Sequence, residues 1–165
     1  MSYDFTANEI FEAAIRIEEG GANFYRRAAE LQADGQNREF LQKLAEMEGA
    51  HKTAFVEMQK GVSEAEKSTT VFDPNDESSL YLAAMVDSHG GEGSPSAANA
   101  LTGRESMEEI LTIAIGLEKE SILFYLGLRD LVPPKFGQEK VDTIIKEERK
   151  HVIQLDTLLR KQKSA

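Results

Sequence analysis

Hydrophobic residues recur at every third or fourth position over four long stretches of this chain, which is the spacing of amphipathic helices. The patterns predict helices over residues 8–31, 36–60, 106–131 and 136–161. No stretch alternates between apolar and polar residues as a half-buried strand does. The sequence therefore predicts an all-α protein made of two helical hairpins.

Capping residues mark where two of these helices begin. Thr6 with Glu9, and Ser106 with Glu109, have the spacing of a capping box, in which the two side chains bond to each other's backbone N–H groups. Pro133 follows the third helix, which it cannot extend because proline has no N–H group to donate. The same kind of start signal therefore opens both hairpins.

The two hairpins, residues 8–60 and 106–161, are separated by a segment of different composition, residues 61–105. Most of that segment is rich in glycine, serine, proline and polar residues, and only residues 76–86 predict a short helix. A connection of this length can carry the chain from one end of a helical bundle to the other. We therefore expect one domain, residues 1–165, in which the hairpins form a four-helix bundle joined by a crossover.

The two hairpins repeat each other at a fixed offset of 100 residues, without a gap. The apolar residues of the inward faces match, and so do several polar residues within them. With a rise of about 1.5 Å per residue, the matching glutamates and histidines all lie at a similar depth, near the middle of the bundle. The matching polar positions are Glu18 and Glu118, Tyr25 and Tyr125, Glu48 and Glu148, and His51 and His151.

The four glutamates lie in the apolar stripes of their helices, where an unpaired carboxylate costs several kcal/mol to bury. Positive charge is therefore expected beside them. In each Glu-x-x-His pair the carboxylate and the imidazole lie one turn apart and can bind one metal ion, while a glutamate from each other helix bridges two ions. Such ligands suit iron or manganese and also permit zinc. The predicted ligands are Glu18, Glu48, His51, Glu118, Glu148 and His151.

The phrases AIRIEEGGANFY, EMEGAH, AIGLEKESILFY and KEERKH together resemble the rubrerythrin group of the ferritin-like superfamily over all four helices. The resemblance implies a ferritin-like four-helix bundle with two iron ions held by the same six residues. It also implies that Tyr25 and Tyr125 lie behind the ligands and hydrogen-bond to their carboxylates or to metal-bound oxygen species. An alternative interpretation of the two tyrosines is that they only fill the core.

Two features depart from the rubrerythrin pattern. The chain has no cysteine, so it cannot hold the four-cysteine rubredoxin-like iron module of rubrerythrins proper. Gly21 and Ser121 stand where many rubrerythrins have an additional glutamate that is associated with peroxidase behaviour. Six ligands still suffice for a centre of the ferroxidase or oxidase type.

Net charge and hydropathy indicate which kinds of partner and cellular location to expect. The net charge of −10 argues against nucleic acid, which needs a positive surface. No apolar run approaches the roughly 20 residues of a membrane span, and the first residues lack the pattern of a secretory signal, so we expect a cytoplasmic protein. His89, in a glycine-rich stretch, is interpreted as an ordinary loop residue.

These observations favour a non-haem di-iron oxidoreductase that reduces hydrogen peroxide or O2 with electrons from an external donor, such as a rubredoxin-like protein. One alternative is a protein that binds and sequesters iron. Another is a structural bundle that a metal such as zinc only stabilises. We expect a homodimer, in which each site belongs to one chain or the helices are exchanged between chains.

Overall fold

The structure, a computed structural model, describes residues 5–67, 77–88, 91 and 94–164. The described residues form long helices joined by short turns. Two 3₁₀ turns, Glu64–Glu66 and Pro134–Phe136, lie next to the ends of the long helices. The α-helices are α1 (Ala7–Leu31), α2 (Gly35–Lys60), α3 (Glu77–Ser88), α4 (Pro95–Ala100), α5 (Met107–Arg129) and α6 (Gln138–Lys163).

Helices α1 and α2 pack along each other, as do α5 and α6, so that each predicted hairpin is formed. Both predicted capping boxes are also present, with Thr6 accepting from the Glu9 N–H group and Ser106 from that of Glu109. Helix α1 contacts α5 and α6, and the crossover helices α3 and α4 lie against α1. The predicted all-α bundle with a crossover is confirmed.

The third and fourth helices are bounded differently from the prediction. Helix α5 ends at Arg129 and α6 begins at Gln138, where the pattern placed these ends at residues 131 and 136. The later beginning of α6 is due to Gly137. Its φ of +91° is a left-handed conformation that does not fit within a right-handed α-helix. Residues Pro134–Phe136 consequently form a separate 3₁₀ turn before α6 starts.

Within the crossover, the predicted helix over residues 76–86 is observed as α3, whereas α4 was not predicted. The available signal was Ser94-Pro95, since serine caps a helix and proline is favoured at its first position. Residues 68–76, 89–90 and 92–93, and with them His89, lie outside the described residues.

Two hydrophobic clusters fill the bundle on either side of its middle. The first joins the beginning of α1 to the end of α5 and the beginning of α6, with α3 packed against it. The second joins the end of α1 to the beginnings of α2 and α5 and the end of α6. Helices α1 and α5 therefore run antiparallel, as the long crossover requires. Buried members are Phe11, Phe55, Leu128 and Ile144 of the first cluster and Phe24, Leu41, Leu111 and Leu155 of the second.

An ion pair joins the beginning of the crossover to the second hairpin at one end of the bundle. Lys140 of α6 lies 2.6 Å from Glu66, and it also donates to the Gly61 carbonyl. Glu66 further accepts from the backbone N–H and the hydroxyl of Ser63. Lys140 and these Ser63 donors lower the pKa of Glu66 from 4.5 to about 2. The ionised carboxylate is therefore stabilised by folding.

Replacing Gly137 by alanine should lower the free energy of unfolding by about 2 kcal/mol or more, because its φ is left-handed. A Cβ there would also lie 2.8 Å from both Ala7 Cβ and Glu66 Oε1. Urea unfolding measures the change. Gly116→Ala is the matched control, since a Cβ meets nothing within 4 Å there, and it should stabilise the protein by roughly 0.5–1 kcal/mol. Equal effects of the two substitutions would contradict this account.

Glu66→Gln should destabilise the protein at neutral pH and progressively less in acid. Because the folded pKa of about 2 lies below the ordinary 4.5, the stabilising contribution is complete above pH 4.5 and is lost as the pH falls towards 2. The stability difference between wild type and variant, from urea midpoints at several pH values, should narrow over that window. Glu64→Gln, which changes a side chain that is 91% exposed, is the control variant for the same measurement.

Candidate metal centre

The six predicted ligand residues lie together between the two hydrophobic clusters. Each of the four long helices contributes, with one glutamate each from α1 and α5 and one Glu-x-x-His pair each from α2 and α6. All four glutamates are 0% exposed, and the helical pattern explains this because each lies on the inward stripe of its helix. The residues brought together are Glu18, Glu48, His51, Glu118, Glu148 and His151.

Two overlapping groups of potential ligand atoms are formed. One group consists of Glu18, Glu48, His51 and His151, with one ligand atom from each residue and all atoms within 4.8 Å of one another. The other consists of Glu118 and Glu148 with His151 again, under the same limit. We call these two groups the half-sites. His151 belongs to both of them, so the two hairpins contribute to one shared centre.

Each histidine makes the same two contacts within its own hairpin. The Nδ1 atom of His51 lies 3.0 Å from Glu48 Oε2 and 3.5 Å from Glu18 Oε2. In the second hairpin, the Nδ1 atom of His151 lies 3.1 Å from an oxygen of the Glu-x-x-His glutamate and 3.5 Å from an oxygen of Glu118. The repeat in the sequence thus becomes a local two-fold relation, and the two imidazole rings stack at its centre, with centroids 3.4 Å apart.

The buried carboxylates require a compensating positive charge. Burial raises the pKa of Glu118 well above its ordinary value, and the neighbouring charges of Glu148 and Glu48 raise it further. No N–H group or alcohol of the described residues donates to Glu48 Oε1, Glu148 Oε1 or either oxygen of Glu118. Buried polar atoms in proteins nearly always have a partner. Oxygen atoms left open at one point, beside two imidazoles, fit the ligand set of a pair of divalent metal ions.

Tyr25 and Tyr125 are fully buried and lie on opposite sides of the centre. Tyr25 belongs to the second hydrophobic cluster and Tyr125 to the first. Each packs edge-on against the preceding phenylalanine, with ring centroids 5.3 Å apart for Phe24–Tyr25 and 5.7 Å for Phe124–Tyr125. The packing role of the two rings is therefore observed, and a direct role of their hydroxyl groups at the metal remains a prediction.

The centre approaches solvent beside His51. The His51 side chain is 17% exposed, compared with 3% for His151. Next to it on the outer surface, Lys52 pairs with Glu19 and lowers the pKa of that carboxyl. A groove of 440 Å³ runs along α1 and is lined by Glu19, Asn23 and Arg27 among others, but by none of the six ligand residues. Among the six ligand residues, His51 is thus the one that is appreciably exposed to solvent in the described part of the chain.

Comparison with known proteins shows the fold. No family model and no curated protein matches the chain. A crystal structure at 2.30 Å resolution, of a candidate ferritin-like diiron-carboxylate protein from Thermotoga maritima, is similar with a TM-score of 0.55 and 24% sequence identity, over 98% of this chain and 99% of that one. The chain therefore has a ferritin-like fold, as predicted. None of its described helices is long and apolar enough to cross a membrane.

Glu118→Gln should stabilise the metal-free protein at neutral pH, because it removes a carboxyl whose ionisation is opposed by burial and by Glu148. Metal should stabilise the wild type but not Glu118→Gln. At a metal concentration about a hundred times the dissociation constant, we expect a rise of roughly 5–10 °C in its melting temperature. Differential scanning calorimetry with Co(II) and with a chelator measures both effects. Glu46→Gln, which changes an exposed carboxylate of α2, is the control and should respond to metal as the wild type does.

Proposed function

We propose that this protein is a non-haem di-iron oxidoreductase of the rubrerythrin-like kind, which reduces hydrogen peroxide or O2. The observation that carries the proposal is the convergence of four buried glutamates and two histidines. Within it, oxygens of Glu48, Glu118 and Glu148 have no N–H or alcohol donor among the described residues. The ferritin-like fold, shared with a protein described as a candidate diiron-carboxylate protein, supports it.

Each of the two ions would have its own Glu-x-x-His pair as ligands. Glu48 and His51 would hold one ion, and the matching pair of α6 would hold the other. By the resemblance to rubrerythrins, Glu18 and Glu118 would be shared between the two ions, and each lies 3.5 Å from the histidine of its own hairpin. The four carboxylates together carry the charge that balances two divalent cations, which explains how so many acidic groups can lie in an apolar core.

When bound, two ferrous ions supply the two electrons that reduce peroxide or O2. The chain's own contribution is a dry, preorganised site. The two hydrophobic clusters exclude water from both sides, and the exposed edge of His51 admits a small oxidant. The hydroxyl groups of Tyr25 and Tyr125 would lie behind the ligands and hydrogen-bond to them.

The electrons must be replaced from outside, because the chain has no cysteine for a rubredoxin-like module. We infer an external donor such as a rubredoxin-like protein, and a homodimer as the working assembly. Light scattering of the metal-loaded protein tests the assembly, and a monomer would refute that part of the proposal.

A second candidate function is the oxidation of iron as a step in its sequestration. The observation favouring it is that Gly21 and Ser121 occupy the positions where many rubrerythrins have the glutamate associated with peroxidase behaviour. In this case ferrous iron is the substrate and O2 the oxidant.

The deciding experiment is stopped-flow oxidation of protein loaded anaerobically with two Fe(II) per chain, with peroxide and O2 compared. Much faster oxidation by peroxide supports the peroxidase, and faster oxidation by O2 supports the ferroxidase. Glu148→Gln should lose stoichiometric binding, since it removes a buried ligand charge, whereas the exposed Glu46→Gln should not. A wild type that binds fewer than two ions per chain would refute the di-iron centre.

A further inference from the structure

The two half-sites differ at one buried position beside the ligands. Ser121 of α5 is 0% exposed, whereas the matching residue of α1 is Gly21. Ser121 follows Glu118 by three residues and precedes Tyr125 by four, so the three side chains share one face of the helix. Residues three apart on a helix are neighbours, so Ser121 lies one turn from Glu118 on this face.

The Ser121 hydroxyl does not make the bond usual for its position. Exposed helical hydroxyls in this protein donate to the carbonyl four residues earlier, as Thr53 does at 3.0 Å and Thr112 at 2.7 Å. Ser121 Oγ has no hydrogen-bond partner among the described residues. A buried hydroxyl without a partner costs free energy, so its presence in the core requires a reason.

The missing acceptor lies one turn away. Both oxygens of Glu118 lack an N–H or alcohol donor in the described part of the chain, as reported above. The Ser121 hydroxyl, which has no acceptor, therefore lies on the same helical face as the Glu118 carboxylate, which has no such donor. Residues that hydrogen-bond to a ligating carboxylate fix its orientation and strengthen metal binding.

We propose that Ser121 is a positioning residue for the metal centre: its hydroxyl donates a hydrogen bond to the Glu118 carboxylate when that carboxylate holds a divalent cation. This inference rests on the proposed function, because it requires metal at the six ligands. Glycine at position 21 has no side chain, so residue 21 cannot donate the equivalent bond to Glu18. The group of Glu118, Glu148 and His151 is consequently the more rigid, and the two ions are bound unequally.

The test is a titration of the metal-free protein with Co(II), followed by calorimetry and by the visible absorption of the bound ion. The wild type should bind two ions with resolvable affinities. Ser121→Ala should weaken one of them by about ten- to a hundredfold, and Ser121→Thr, which restores a hydroxyl, should recover most of the loss. Thr112→Ala is the control, because its hydroxyl bonds to the backbone of the same helix on the exposed side.

A second readout separates this role from simple packing. In the absence of metal, Ser121→Ala should raise the melting temperature, because it removes a buried hydroxyl that has no partner. A variant that is more stable without metal but binds Co(II) more weakly supports the proposal.

Unchanged Co(II) affinities in a folded Ser121→Ala variant would overturn it and leave the di-metal centre intact. A wild type that binds no pair of ions would overturn both. If the alanine variant does not fold, Ser121→Gly, which copies the residue of the first hairpin, provides the same comparison.

Discussion

Four carboxylates are buried at one level of an apolar core, and the arrangement of the helices follows from the need to hold them there. Each of them is placed inward by the same helical stripe that buries its leucine, isoleucine and alanine neighbours. Such a cluster is unfavourable unless cations or protons compensate it, as the raised pKa of Glu118 indicates. The two hydrophobic clusters on either side stabilise the bundle, and the buried polar residues lie between them.

The internal repeat explains how a small chain builds such a site. Two hairpins with the same ligand spacing, packed antiparallel, place equivalent residues around a local two-fold axis that passes between His51 and His151. The two hairpins differ from this symmetry in the exposure of their histidines and in one residue next to the ligands. The His51 side chain is partly exposed to solvent, whereas that of His151 is almost fully buried. Ser121 of the second hairpin is matched by Gly21 in the first. The site is therefore symmetric in its ligands and asymmetric in access and in what surrounds the ligands.

Most of the fold followed from local patterns, and the exceptions have physical causes. Helix positions, both capping boxes and the short crossover helix α3 were predictable because apolar periodicity and cap chemistry act within a few residues. The beginning of α6 was predicted too early because Gly137 has a left-handed φ of +91°, and the apolar periodicity of the sequence does not record backbone conformation at a single glycine. Helix α4 is short, and serine and alanine alone give no periodic signal.

At the centre, helical periodicity is enough to say which residue types lie on the inward faces and at what depth. That information is encoded by helical spacing and by the repeat, so the set of six candidate ligands could be named without a structure. The packed structure was needed to show that His151 belongs to both ligand groups and that His51 is the exposed histidine. It was also needed to show that Ser121, one turn from Glu118, has no hydrogen bond among the described residues. These features depend on how the helices are rotated and packed against one another, which no local pattern records.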